Sequence, residues 1–146
     1  VSGLFSGKSY NLQSLTVGTT EHDDVSRMTI SVTADDVTFE QIKKQLNSMV
    51  EVIKVMDLTD VPIHSKEILY AKIHGIDAAG KEEAFRIAQV FKIRVIDIGE
   101  DSVLLESALT ERRNNELTAL LKKTFRRIEI VRGGPVAIES ISTSCR

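Results

Sequence analysis

Three histidines, one cysteine and a handful of carboxylate, glycine and lysine/arginine clusters are the residues of this chain that could do chemistry. His22, His64 and His74 stand far apart, and none sits in a metal-ligand spacing. They read as ordinary surface or partly buried histidines. Cys145 lies in the polar run Thr143-Ser144-Cys145-Arg146, without the base and fixed setting that a nucleophilic thiol needs. Gly133-Gly134-Pro135 follows a strand-like run, but no Lys-Ser/Thr pair and no helix come after it. It reads as a hairpin turn and not as a phosphate loop. Glu21, Asp23 and Asp24 lack the spacing and the glycine of a calcium loop and read as a solvated turn. The basic pairs Lys43-Lys44, Arg112-Arg113, Lys122-Lys123 and Arg126-Arg127 fall on helix surfaces or ends. No catalytic set emerges, so the chain reads as a non-enzyme.

One junction could hold a ligand. Gly7-Lys8-Ser9-Tyr10-Asn11 ends a helical pattern and opens a strand pattern. Helix exits favour a residue at positive φ, and Ser9 in that place costs on the order of 1 kcal/mol relative to Gly. Asn11 follows at the strand entrance. Its amide both donates and accepts. That suits capping the turn first of all, a common task for Asn, and also suits gripping the carboxylate and amine of an amino acid. The residues alone leave both roles open.

The elements around these residues follow from periodicity. The chain has 146 residues, is 42% hydrophobic, and carries a net charge of -2, which offers no electrostatic funnel for nucleic acid or an anionic membrane. Apolar runs are only a few residues long and no leader is visible, so a cytoplasmic (bacterial) protein is expected, with a plastid or mitochondrion as the alternative. The lone cysteine fits a reducing compartment. Val1, Leu4 and Phe5 form a helical stripe. Leu12–Val17 and Arg27–Thr33 read as a hairpin. A capping box at Thr38–Gln41 predicts a helix start, with Phe39, Ile42, Leu46, Met49 and Val50 as its buried stripe. Val52–Asp57 reads as a β-branched strand. After Pro62 come a strand at Glu67–Ile73, a helix at Gly80–Phe91, strands at Arg94–Ile98 and Ser102–Ala108, a helix at Thr110–Thr124, a strand at Ile128–Arg132, and a short last strand within Val136–Ile141.

The second half is thus βαββαβ, the ferredoxin-like order. The first half repeats that order with its opening strand and part of a helix absent. The expected fold is α+β, two ferredoxin-like modules in tandem at residues 1–60 and 65–141, with the chain an ordered part of a longer one. An RNA-binding module of the same strand order would carry aromatics on its central strands. The runs at 27–33, 67–73 and 102–108 offer only Tyr70.

The stretches Gly3-Leu4-Phe5-Ser6, Tyr10-Asn11-Leu12-Gln13-Ser14-Leu15-Thr16-Val17-Gly18 and Ser26-Arg27-Met28-Thr29-Ile30 resemble the ACT domain of acetolactate synthase small subunits. Gln41–Leu46 and Val52–Val55 extend the likeness. Lys66-Glu67-Ile68-Leu69 and Glu129-Ile130-Val131-Arg132-Gly133-Gly134 resemble that family's C-terminal domain. The resemblance implies a regulatory subunit that activates a catalytic large subunit and confers feedback inhibition by a branched-chain amino acid, valine first. It also implies ACT homodimers with sheets joined side by side and the effector at their interface. Asn11 is then a ligand contact, and the backbone at Leu12 a second. Ser9 departs from the family's usual Gly, and Lys8 from its frequent Arg. No cofactor is expected in this chain; thiamine diphosphate, FAD and magnesium belong to the catalytic partner. The alternative is a free-standing ACT-type sensor acting on another enzyme.

Overall fold

The computed structural model describes residues 11–141. The helix read at Val1–Phe5, the turn with Ser9 and the Cys145 tail lie outside them. The fold is α+β with two ferredoxin-like modules, and the chain divides into a unit up to His64 that also takes in the stretch from Ala137, and a unit from Ser65 to Val136.

In the first unit β1 (Asn11–Thr19) and β2 (Ser26–Thr33) form an antiparallel hairpin. The acidic turn between them is held by Thr20, whose hydroxyl donates to the Val25 carbonyl at 2.8 Å. Helix α1 spans Asp36–Asn47, and its N-cap is Asp35, three residues before the expected cap at Thr38. The Asp35 carboxylate accepts the Thr38 N–H at 2.7 Å. An anionic cap both satisfies an orphan donor and complements the helix dipole, so Asp35 displaces the Thr38 capping box. Ile42 is buried, but Val50 is 97% exposed because the helix has already ended at the Ser48 C-cap.

Val52–Asp57 is not a strand. In βαββαβ order the closing strand pairs with the opening one, and among the described residues no strand precedes Asn11 to receive it. An extended segment without a ladder partner has no hydrogen bonds to hold it as a strand. Its end is tied down instead. Lys43 Nζ reaches Asp57 at 3.1 Å and Glu40 at 2.7 Å. The Thr59 hydroxyl at 2.6 Å and its N–H at 3.0 Å donate to Asp57, and with Lys43 they outweigh burial and lower its carboxyl to about 2.

The second unit holds most of β3 (Ile63–His74), then α2 (Ala78–Phe91), β4 (Arg94–Ile98), β5 (Val103–Leu109), α3 (Glu111–Thr124) and β6 (Arg127–Arg132); β7 (Val136–Glu139) starts at its end and belongs otherwise to the first unit. The strand order β4-β5-β3-β6 is that of a ferredoxin-like sheet, and β7 also pairs with β3. Alternation along β3 and β5 sends Leu69, Ala71, Ile73, Val103 and Leu105 to one face, where all are at most 2% exposed. Ala84, Ile87, Ala88 and Phe91 from α2 and Leu117 and Leu121 from α3 close over that face. Each large side chain so buried contributes about 1.5–3 kcal/mol. Asp77 and Thr110 cap the two helices. Lys92 ends α2 in the left-handed region at φ 58, the place where glycine is cheapest. None of the described helices is long and apolar enough to cross a membrane.

Candidate functional site

Among the described residues no group of three His, Cys, Asp or Glu side chains is placed to hold a metal ion. His22 lies 3.8 Å from Glu21 in the exposed turn, and His74 lies 3.7 Å from Glu129 on the sheet. Glu67 is the buried carboxylate of the second unit, at 3% exposure, and its oxygens are saturated. Arg132 donates from Nη2 to Oε1 at 2.7 Å and from Nε to both oxygens at 3.2 Å. Asn114 Nδ2 reaches Oε1 at 3.0 Å, and the Gly134 N–H reaches Oε2 at 3.0 Å. Burial pushes the Glu67 carboxyl up, but the bonds from Arg132 and Asn114, the Arg132 charge and the Gly134 N–H outweigh it, and it titrates below the ordinary range.

A carboxylate held ionised by five donor contacts has no proton to give and no lone pair aimed at a substrate. Glu67 therefore organises the unit rather than performing chemistry. The network extends inward: Asn114, fully buried, accepts from the Ser107 hydroxyl at 2.6 Å. It extends outward as Arg132 Nη1 donates to Asn115 Oδ1 at 2.7 Å. The glycine turn considered for phosphate already spends its Gly134 N–H on this internal anion. A cleft of about 520 Å³ between α3 and β6, lined by Thr118, Lys122, Ile128, Ile130 and Arg132, borders the network. Sequence reading missed all of this except the turn. The available signal was that Glu67 and Arg132-Gly133-Gly134 sit in the two stretches that resemble the family's C-terminal domain.

The two residues expected to contact a ligand, Asn11 and Leu12, lie in the first unit. Asn11 opens β1 opposite Thr33, Leu12 faces Val32, and the ladder resumes with Ser14 opposite Ser31. Gln13 is the extra residue of a β-bulge, and the bulge resets the alternation of the strand. Leu12 and Leu15, three apart, thereby fall on one face with Val17, Met28, Ile30 and Val32. Asn11, Ser14, Thr16, Thr29, Ser31 and Thr33 line the other. The side chains of Asn11 and Leu12 consequently point to opposite faces, and the backbone between them is what a ligand on the polar side could share. Asn11 is exposed, and among the described residues no hydrogen bond holds its side chain. Leu12 is 42% exposed.

By its place in the repeat, β1 corresponds to β4, which is an outer strand of the second unit's sheet. Asn11 thus stands at the entrance to an edge strand with a donor and an acceptor to offer. That arrangement can bind both ends of a zwitterion.

Known proteins bear on this geometry. Residues 1–54 match the model of the AHAS small subunit-like ACT domain, and residues 66–141 match the model of the small subunit of acetolactate synthase. The chain is 37% identical over 138 residues to an acetolactate synthase small subunit of Aquifex aeolicus, covering 94% of this chain and 71% of the relative. It is 36% identical to a probable acetolactate synthase small subunit of Archaeoglobus fulgidus, covering 94% of this chain and 85% of the relative. The crystal structure of an acetolactate synthase small subunit from Thermotoga maritima superposes with a TM-score of 0.79 at 30% identity, over 95% of this chain and 86% of that one.

Proposed function

Because the chain belongs to the acetolactate synthase small-subunit family, we propose that it activates an acetolactate synthase catalytic subunit and makes it sensitive to a branched-chain amino acid, valine first. The observation that carries the effector reading is Asn11, exposed at the entrance to an edge strand with its amide uncommitted among the described residues.

In this reading two copies join β1 edges, which removes the liability of an exposed strand edge. The effector's charged ends meet the Asn11 amide and the backbone at Leu12. A ligand bound by both copies stabilises one arrangement of the dimer, and so alters how the subunit grips its enzyme. The saturated state of Glu67 supports a chain that is itself non-catalytic. Thiamine diphosphate, FAD and magnesium then reside on the catalytic subunit, and the complex works in the cytoplasm. The match of residues 66–141 to the small-subunit model favours this over a free-standing ACT sensor.

The test is to mix the full-length protein with an acetolactate synthase large subunit over a range of ratios, with and without valine, leucine and isoleucine. Activation that one of the three reverses is the expected result. No change in rate at any ratio would remove the proposal.

A further inference from the structure

We propose that Gln13 is a positioning residue for the effector site, an inference that rests on the reading of Asn11 as an effector contact. Its amide spans two hydroxyls of the neighbouring strand. Nε2 donates to Thr33 Oγ1 at 2.7 Å, and Oε1 accepts from Ser31 Oγ at 3.0 Å. Thr33 and Ser31 lie two residues apart on the polar face of β2, and Thr33 is the residue directly opposite Asn11.

A bulge inserts one residue without a partner and bends the strand that carries it. Here the inserted residue supplies its own partners, one on each side of the irregularity. The clasp therefore sets the pitch of the strand end that presents Asn11 and Leu12. Ser14, the residue opposite Ser31, has a buried Oγ without a hydrogen-bond partner, so among the described residues it does not supply this tie. Ser31 donates to Gln13 and Thr33 accepts from it. The polar groups around Asn11 are thus fixed before any ligand arrives, which is the arrangement that lowers the ordering cost of binding.

Gln13 touches no ligand in this scheme and acts through the backbone and Thr33. A glutamate can accept hydrogen bonds from both hydroxyls and keep the clasp, whereas a leucine cannot. The experiment is calorimetric titration of the full-length protein with valine, leucine and isoleucine, for the wild type, Gln13→Leu, Gln13→Glu and Asn11→Ala. Activation of the large subunit and backbone amide exchange across residues 11–14 are measured alongside.

Gln13→Leu is expected to weaken binding roughly five- to tenfold, the loss of one or two hydrogen bonds. It should speed exchange around the bulge and leave activation in place, and Gln13→Glu should restore both affinity and protection. Wild-type affinity in Gln13→Leu, or an equal loss in Gln13→Glu, overturns the inference while a defect in Asn11→Ala leaves the site standing. A wild type that binds none of the three amino acids overturns both readings together.

Discussion

The Arg132 guanidinium lies alongside the Glu67 carboxylate, with Nη2 2.7 Å from Oε1 and Nε 3.2 Å from each oxygen. It joins β6 to β3 across 65 residues of sequence. Removing one partner of such a pair leaves a buried charge without compensation. Arg132→Met is expected to destabilise the protein by about 3 kcal/mol, the low end for a buried pair because Arg132 is partly exposed. Urea unfolding of the full-length protein measures this.

The same pair sets a pH dependence. The folded protein holds Glu67 below its ordinary 4.5 and Asp57 below its ordinary 3.8, at about 2. The native state thus prefers both groups ionised. Their contribution is complete above pH 4.5 and is lost as pH falls through the folded values. The urea midpoint should decline from pH 4.5 towards pH 2, and Arg132→Met should decline less. An equally steep decline in the variant would show that other carboxylates dominate.

Asn114 is the point at which the network enters the core. Asn114→Leu leaves the Ser107 hydroxyl without its acceptor and the Glu67 carbonyl without a donor it now has at 3.1 Å. Buried groups stranded in this way cost about 1–3 kcal/mol each. Ser107→Ala alone should cost about 1–3 kcal/mol, because it leaves the buried Asn114 Oδ1 without its donor. The double variant should be less unstable than the sum, because both changes break the same bond. Strict additivity in denaturation experiments would separate the two residues.

Lys92 occupies the left-handed region at the end of α2. Lys92→Gly removes the Cβ strain of that conformation while the chain-ending bonds to Ala88 and Gln89 remain available. A gain of about 1 kcal/mol in thermal stability is expected, and a loss would mean that the lysine side chain contributes more than its backbone costs.

Asn11→Ala should weaken effector inhibition while the fold and the activation of the catalytic subunit persist. Inhibition curves against valine measure the first and circular dichroism the second. Loss of activation together with inhibition would make Asn11 a structural residue of the turn.

Much of the second unit is legible in the linear chain. The run Glu67–Ile73 alternates, Gly80–Phe91 and Thr110–Thr124 repeat at helical spacing, and these are the segments whose inward faces are buried. Burial acts on each residue through its immediate neighbours, so a period of 2 or 3.6 survives as a local signal. In the first unit the local signals compete. Asp35 and Thr38 are both good caps and the better placed carboxylate prevails. Val52–Asp57 has strand chemistry, and among the described residues no strand is placed to pair with it.

The bulge at Gln13 left a trace, since Leu12 and Leu15 break strict alternation, but only the register against β2 shows which residue is extruded and which hydroxyls it meets. Glu67 and Arg132 carry no local signal beyond the family resemblance of the stretches they sit in, and Asn114 carries none. They are separated by 47 and 65 residues, and each is an ordinary polar residue of a strand or helix until folding brings them together. Periodicity tells how far a side chain is from water. Which buried donor meets which buried acceptor is set by strand order and register, and these exist only once the chain has closed on itself.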